Sequence, residues 1–150
     1  MKFENAIVID ADRETVWREF DNVDNLQKWQ PTLQSFTLKS GTASEPGAVS
    51  EMVYDEGGRT VVMLETLTEK RQPSFMAGIY ESDWSKAVIV NHFESLEGGR
   101  TRWVIYANHN FKAMMKVLGI FFRKSIGRRT QSFMEHFKLF VESKIADEKQ

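Results

Sequence analysis

The sequence predicts an α+β fold: a curved antiparallel sheet of seven strands wrapped around a long C-terminal helix, with two short helices after the first strand. Two observations carry that expectation. From Phe111 to Ala146 the apolar residues Leu118, Phe122, Ile126, Phe133, Phe137 and Phe140 recur at spacings of three, four or seven, which places them on one stripe of a 3.6-residue helix. Ahead of that helix, from Leu33 to His109, short strand-forming runs alternate with glycine-bearing turns. The helix stripe must be covered, and the sheet is the partner the chain offers. A helix gripped by a curved sheet encloses apolar space, which is what a small-molecule site requires.

Each element has its own signal. Lys2 to Ile9 suits an edge strand, with an apolar but imperfectly alternating pattern. Asp10 or Asp12 offers an N-cap to a short helix carrying Val16, Trp17, Phe20 and Val23 at helical spacing. Asn22, Asp24 and Asn25 break it, a further turn runs through Leu26 to Trp29, and Pro31 ends it. Strands follow at Leu33 to Ser40, Val49 to Tyr54, Arg59 to Thr68, Phe75 to Glu81, Ala87 to Phe93 and Thr101 to His109. Asp55-Glu56-Gly57-Gly58 and Glu97-Gly98-Gly99 are hairpin turns, because glycine takes the positive φ that tight turns need. Gly119 is expected to separate a lead-in, Lys112 to Leu118, from the main helix beginning near Phe121, and that lead-in could form a movable lid. Gly127 inside the helix allows close approach to the sheet or leaves room for a ligand.

Composition narrows the function classes. The 150 residues read as a single domain, 41% hydrophobic and 27% charged, and the absence of cysteine excludes disulfides and thiolate chemistry. No apolar run of signal-peptide length follows Met1, and none approaches the roughly 18 residues of a membrane span, so a cytoplasmic location is expected. A net charge of −1 argues against nucleic acid as a partner. Lys112, Lys116, Arg123, Lys124, Arg128 and Arg129 nevertheless form a basic stretch beside apolar residues, a pattern suited to transient contact with an anionic membrane or to a solvated helix face. His92, His109 and His136 have no metal-ligand spacing, no Gly-rich loop precedes a helix, and no Gly-x-Ser-x-Gly elbow is present. No metal or cofactor is expected.

Order and motifs together resemble the START-like, or SRPBCC, superfamily that includes plant pollen allergens and polyketide cyclases. The resemblance covers nearly the whole chain and rests on Trp29-Gln30-Pro31, Glu65-Thr66-Leu67, Asn91-His92-Phe93, Gly99-Arg100-Thr101-Arg102-Trp103, Phe111 and the closing helix with Phe133, Phe137 and Phe140. It implies the helix-grip fold and binding or processing of a hydrophobic small molecule, such as a lipid, sterol, quinone or polyketide, between sheet and helix.

Strand parity then selects the expected lining. If Trp103 points inward, so do Thr101, Ile105, Ala107 and His109, while the paired strand brings Ala87, Ile89, Asn91 and Phe93 to the same side. The parity of Leu67 brings in Met63 and Glu65. The expected ligand-binding set is Trp29, Met63, Glu65, Ile89, Asn91, Phe93, Trp103, Ile105, His109, Phe122, Ile126 and Phe133. Glu65, Asn91 and His109 are polar among apolar neighbours, so each needs a partner: a ligand's polar end, or an internal one such as an arginine for Glu65. No catalytic constellation stands out. Binding or transport is the leading expectation, and a cyclase or dehydratase in which Glu65 or His109 moves protons is the alternative. On the outward parity Val62, Leu64, Val88, Val90, Val104 and Tyr106 form an apolar patch that would suit a homodimer as well as a monomer.

Overall fold

A computed structural model describes the backbone throughout and all side chains except those of Met114, Met115 and residues 117–122. The chain runs β1 (Lys2–Ile9), α1 (Arg13–Phe20), a 3-10 turn (Val23–Asn25), α2 (Leu26–Trp29), β2 (Leu33–Ser40), β3 (Val49–Glu56), β4 (Arg59–Arg71), β5 (Phe75–Glu81), β6 (Ser85–Leu96), β7 (Arg100–Phe111) and α3 (Ala113–Glu148). The expected α+β helix-grip architecture is what forms. Its seven strands pair antiparallel in the order β1-β7-β6-β5-β4-β3-β2. Because β1 and β2 occupy opposite edges, α1 and α2 carry the chain across one end of the curved sheet.

Local chemistry explains the boundaries. Of the two caps the sequence offers, Asp12 is used: its carboxylate accepts from the Thr15 amide at 2.9 Å. In the β3–β4 turn Gly57 and Gly58 have φ of 63° and 87°, and Asp55 Oδ1 accepts from the Gly58 amide at 2.9 Å. The hairpin strands β4, β6 and β7 run longer than the apolar pattern marks, because ladder hydrogen bonds continue into polar residues near the turns. α3 runs as a single helix from Ala113 to Glu148, so the separation expected at Gly119, and with it a distinct lead-in, is absent from the backbone.

The core sits under the C-terminal half of α3. Met134, Phe137 and Val141, three and four residues apart, have no exposed surface. The Phe137 ring meets Trp103, Trp29 and Phe20 edge to face, with centroids at 5.1, 5.3 and 6.2 Å. Polar clips fix the helix along its length. Asn5 Nδ2 donates to Gly127 O at 3.1 Å and to Gln131 Oε1 at 3.0 Å, and Lys138 Nζ donates to Val8 O at 2.7 Å, all tying α3 to edge strand β1. On the far side Arg129 Nε donates to Glu56 Oε1 of β3 at 2.6 Å. The helix is thus tied down at both flanks, and the sheet's curvature leaves space between the ties.

Gly127 does not mark a close approach. A Cβ built there meets nothing within 4 Å. Gly127→Ala is therefore expected to raise the unfolding free energy by about 0.5–1 kcal/mol, since alanine loses less backbone freedom in a helix than glycine. Urea denaturation would show it; a destabilised variant would mean that the glycine serves the tie to Asn5.

On the outer sheet face Val62, Leu64, Val88 and Tyr106 are exposed and Val90 is half-buried. Val104 departs from the outward-patch expectation. It is 3% exposed, lying opposite His92 across β6–β7, where the His92 ring meets Tyr106 and Phe75. Among the described residues, no helix is long and apolar enough to cross a membrane.

Candidate functional site

Under residues 126–134 of α3, sheet and helix enclose a cavity of about 220 Å³. It exists because the inward positions there are short: Ala48 and Ser50 on the β3 side, Ala87 on β6 and Ala107 on β7 line it. Larger side chains at those positions would extend the core toward the helix. Flexible Met52, Met63 and Met76 form further wall, and Trp29 and Trp103 separate the cavity from the packed core.

Four polar arrangements border this space. The Tyr80 hydroxyl donates to Glu65 Oε2 at 2.6 Å, a contact made possible by register, since Glu65 and Tyr80 are directly opposed on β4 and β5. Burial pushes the Glu65 carboxyl above its ordinary pKa, only partly offset by the Tyr80 hydrogen bond, while burial and the adjacent carboxylate push Tyr80 well above its own. The Tyr54 hydroxyl donates to Gln30 Oε1 at 2.7 Å, and burial raises its pKa against the pull of Arg129. The Arg129 guanidinium, besides pairing with Glu56, lies over the Tyr54 and Phe133 rings at 4.7 and 4.5 Å. Trp103 Nε1 donates to Asn91 Oδ1 at 3.1 Å.

His109 is held differently. Its ring stacks on Phe111 at 5.6 Å and meets the edge of Phe3 at 5.3 Å, and its buried Nδ1 has no partner among the described residues. Burial first, and the Met1 ammonium second, lower its pKa. That ammonium donates to the His109 carbonyl oxygen at 2.6 Å. The ring is an aromatic wall element that resists protonation.

Of the expected set, Trp29, Met63, Glu65, Ile89, Asn91, Trp103, Ile105, His109, Ile126 and Phe133 line the cavity. Phe93 does not. It faces the same side of the sheet but is buried in the aromatic core with Trp17, Phe20 and Trp103, where α1 covers the end of β6. Phe122 lies outside the described residues. Asn91 takes the internal alternative, spending its carbonyl oxygen on Trp103 and its amide on Met76 O at 3.4 Å. Glu65 pairs with a tyrosine and not with an arginine.

Sequence reasoning missed Tyr80, Tyr54, Gln30 and Arg129. Extending parity across β4–β5 would have found Tyr80, and the α3 spacing from Ile126 to Phe133 would have drawn in Arg129. Lys112, Lys116, Arg123 and Lys124 of the basic stretch are exposed. Among the described residues no three of His, Cys, Asp or Glu gather in a way that could hold a metal ion.

No protein-family profile and no curated protein matches this sequence. Solved structures do match in fold. TTHA0849 from Thermus thermophilus is 17% identical with a TM-score of 0.80, covering 95% of this chain and 98% of its own. The ZhuI aromatase/cyclase from Streptomyces sp. R1128 is 12% identical with a TM-score of 0.72, covering 93% and 95%. A START superfamily protein from Mycobacterium smegmatis is 11% identical with a TM-score of 0.67, covering 89% and 97%. Identities this low speak to architecture alone. With its strand order, its helix clipped across the sheet and these matches over nearly its full length, the chain has the helix-grip fold of these structures.

Proposed function

We propose that the protein binds and carries a hydrophobic small molecule, of lipid, sterol, quinone or polyketide-like character, in the cavity beneath α3. The observation that carries this reading is the cavity itself: about 220 Å³ of mainly apolar space left open directly beside a core packed to zero exposure at Trp103, Met134 and Phe137. Interiors are otherwise close-packed, and a void of this size forfeits contacts that filling it would supply. A bound apolar ligand restores them. The aromatase/cyclase among the solved structures lends support to the second reading, an enzyme acting on a bound polyketide-like substrate, with Glu65 or His109, both of which border the cavity, as the proton-transfer group.

Native mass spectrometry of the protein purified under mild conditions is expected to show an added mass that denaturing conditions remove. Trp29 and Trp103 line the cavity, whereas Trp17 and Trp84 do not. Titration with an apolar probe should therefore change tryptophan fluorescence in the native protein and lose most of that change in Trp29→Phe/Trp103→Phe. An equal response from both proteins would place the probe elsewhere and remove the cavity from the argument. Turnover of a polyketide analogue by protein carrying no retained molecule would favour the enzyme.

A further inference from the structure

We infer that Glu65 makes the cavity selective for ligands presenting an uncharged hydrogen-bond donor, a hydroxyl or an N–H on an apolar body, and that it excludes ligands with an anionic head. The inference rests on the cavity being a ligand site and adds which polar chemistry it takes.

The sheet register sets up the selection. Ser50, Glu65, Tyr80, Ala87 and His109 are successive cross-strand partners on β3, β4, β5, β6 and β7, so they form one inward row across the concave face. Ser50 and Ala87 are its short members, flanking the Glu65–Tyr80 pair on either side. Tyr80 occupies only Oε2 of the carboxyl. No hydrogen bond reaches Oε1 among the described residues, and Glu65 lines the cavity, which leaves Oε1 as the acceptor available to what enters. A buried acceptor left in this state is completed by a donor on whatever enters.

The remaining wall charges are already paired. Arg129 Nε donates to Glu56 Oε1 at 2.6 Å, and Asp21 is paired with Lys70 at 2.6 Å. His109 stacks on Phe111 and meets the edge of Phe3, and its surroundings disfavour the imidazolium. Among the described lining residues, Glu65 is thus the one ionisable group with neither a cation beside it nor a closed hydrogen-bond set. Where Glu65 is ionised, a carboxylate-bearing lipid placed beside it meets like charge, whereas a neutral donor meets an empty lone pair.

A matched naphthalene series tests this, because the apolar body stays constant while the polar group changes. At pH 8, binding of 2-naphthol, 2-methoxynaphthalene and 2-naphthoate would be measured by tryptophan fluorescence and calorimetry. The native protein is expected to bind 2-naphthol about tenfold more tightly than the methoxy compound, the scale of a hydrogen bond to a charged acceptor, and 2-naphthoate most weakly. In Glu65→Gln the amide keeps an acceptor for Tyr80 and turns its NH₂ toward the cavity. The naphthol preference should then shrink to within about threefold and 2-naphthoate should gain. Equal binding of naphthol and methoxynaphthalene by the native protein, or an unchanged ranking in Glu65→Gln, overturns the assignment while leaving the cavity a binding site. Failure of all three compounds to bind would overturn the binding reading and this inference with it.

Discussion

Phe137→Ala is expected to lower the unfolding free energy by about 3–5 kcal/mol, which in a chain of this length corresponds to a fall of roughly 6–20 °C in melting temperature. Phe137 has no exposed surface, and its ring is held edge to face by Trp103, Trp29 and Phe20. These three rings come from β7, α2 and α1, so the truncation opens a void where four elements meet, and none of the facing groups can collapse into it without pulling its own element out of register. Phe133, one turn earlier on α3, already borders the open cavity and is half-buried. Phe133→Ala should cost clearly less, because the space it would vacate adjoins a void that exists already. Denaturant unfolding followed by circular dichroism checks both. A loss below about 1 kcal/mol for Phe137→Ala, or equal losses for the two variants, would show that the aromatic cluster is not what seats the helix.

The difference between these two phenylalanines also marks how far sequence carries. Helical periodicity finds both, because burial of one face dictates spacing, but its stripe is only partly the buried one: Phe137 is fully buried, Ile126, Phe133 and Phe140 are half-buried, Leu118 and Phe122 lie outside the described residues, and the fully buried Met134 and Val141 are not on it. Period-2 alternation likewise recovers the inward parity of β7, with Thr101, Trp103 and Ala107 buried. Periodicity does not say how far below a face the next layer lies. Phe93 and Ile89 share a parity on β6, yet α1 packs over one and the cavity lies over the other. That depth is set by where α1 and α2 cross the sheet and by the short inward residues Ala87 and Ala107, a cooperative property of several elements. Polar partners are harder still. Tyr80 meets Glu65 because of a strand register that has a shift between Leu67 and Glu69, and no local pattern announces that irregularity. Arg129 reads in sequence as part of a basic run, and the salt bridge to Glu56 that turns it inward joins residues far apart in the chain.

Glu65→Gln is expected to stabilise the protein at pH 8 by on the order of 1–3 kcal/mol and to have little effect at pH 4. Burial raises the folded pKa of Glu65 above the ordinary value of 4.5. A carboxyl shifted in that direction binds its proton more tightly in the folded protein than in the unfolded chain. The folded state therefore loses stability as pH rises from the unfolded pKa through the folded one, and the loss is constant above it. Glutamine has no proton to lose and still accepts the Tyr80 hydroxyl, so the variant escapes the penalty without leaving that donor unpaired. Glu19, whose pKa is lowered by Lys144 and its other partners against the opposing effect of its burial, contributes stability with the opposite slope, lost as pH falls through its folded pKa. It is present in both proteins, so its contribution cancels in their difference. The measurement is the gap in unfolding free energy between variant and native protein at intervals from pH 4 to pH 8. A gap that widens with pH in the variant's favour is the signature of a buried carboxylate awaiting a donor; a gap that stays flat, or opens in favour of the native protein, would mean that its charge is already compensated inside the cavity.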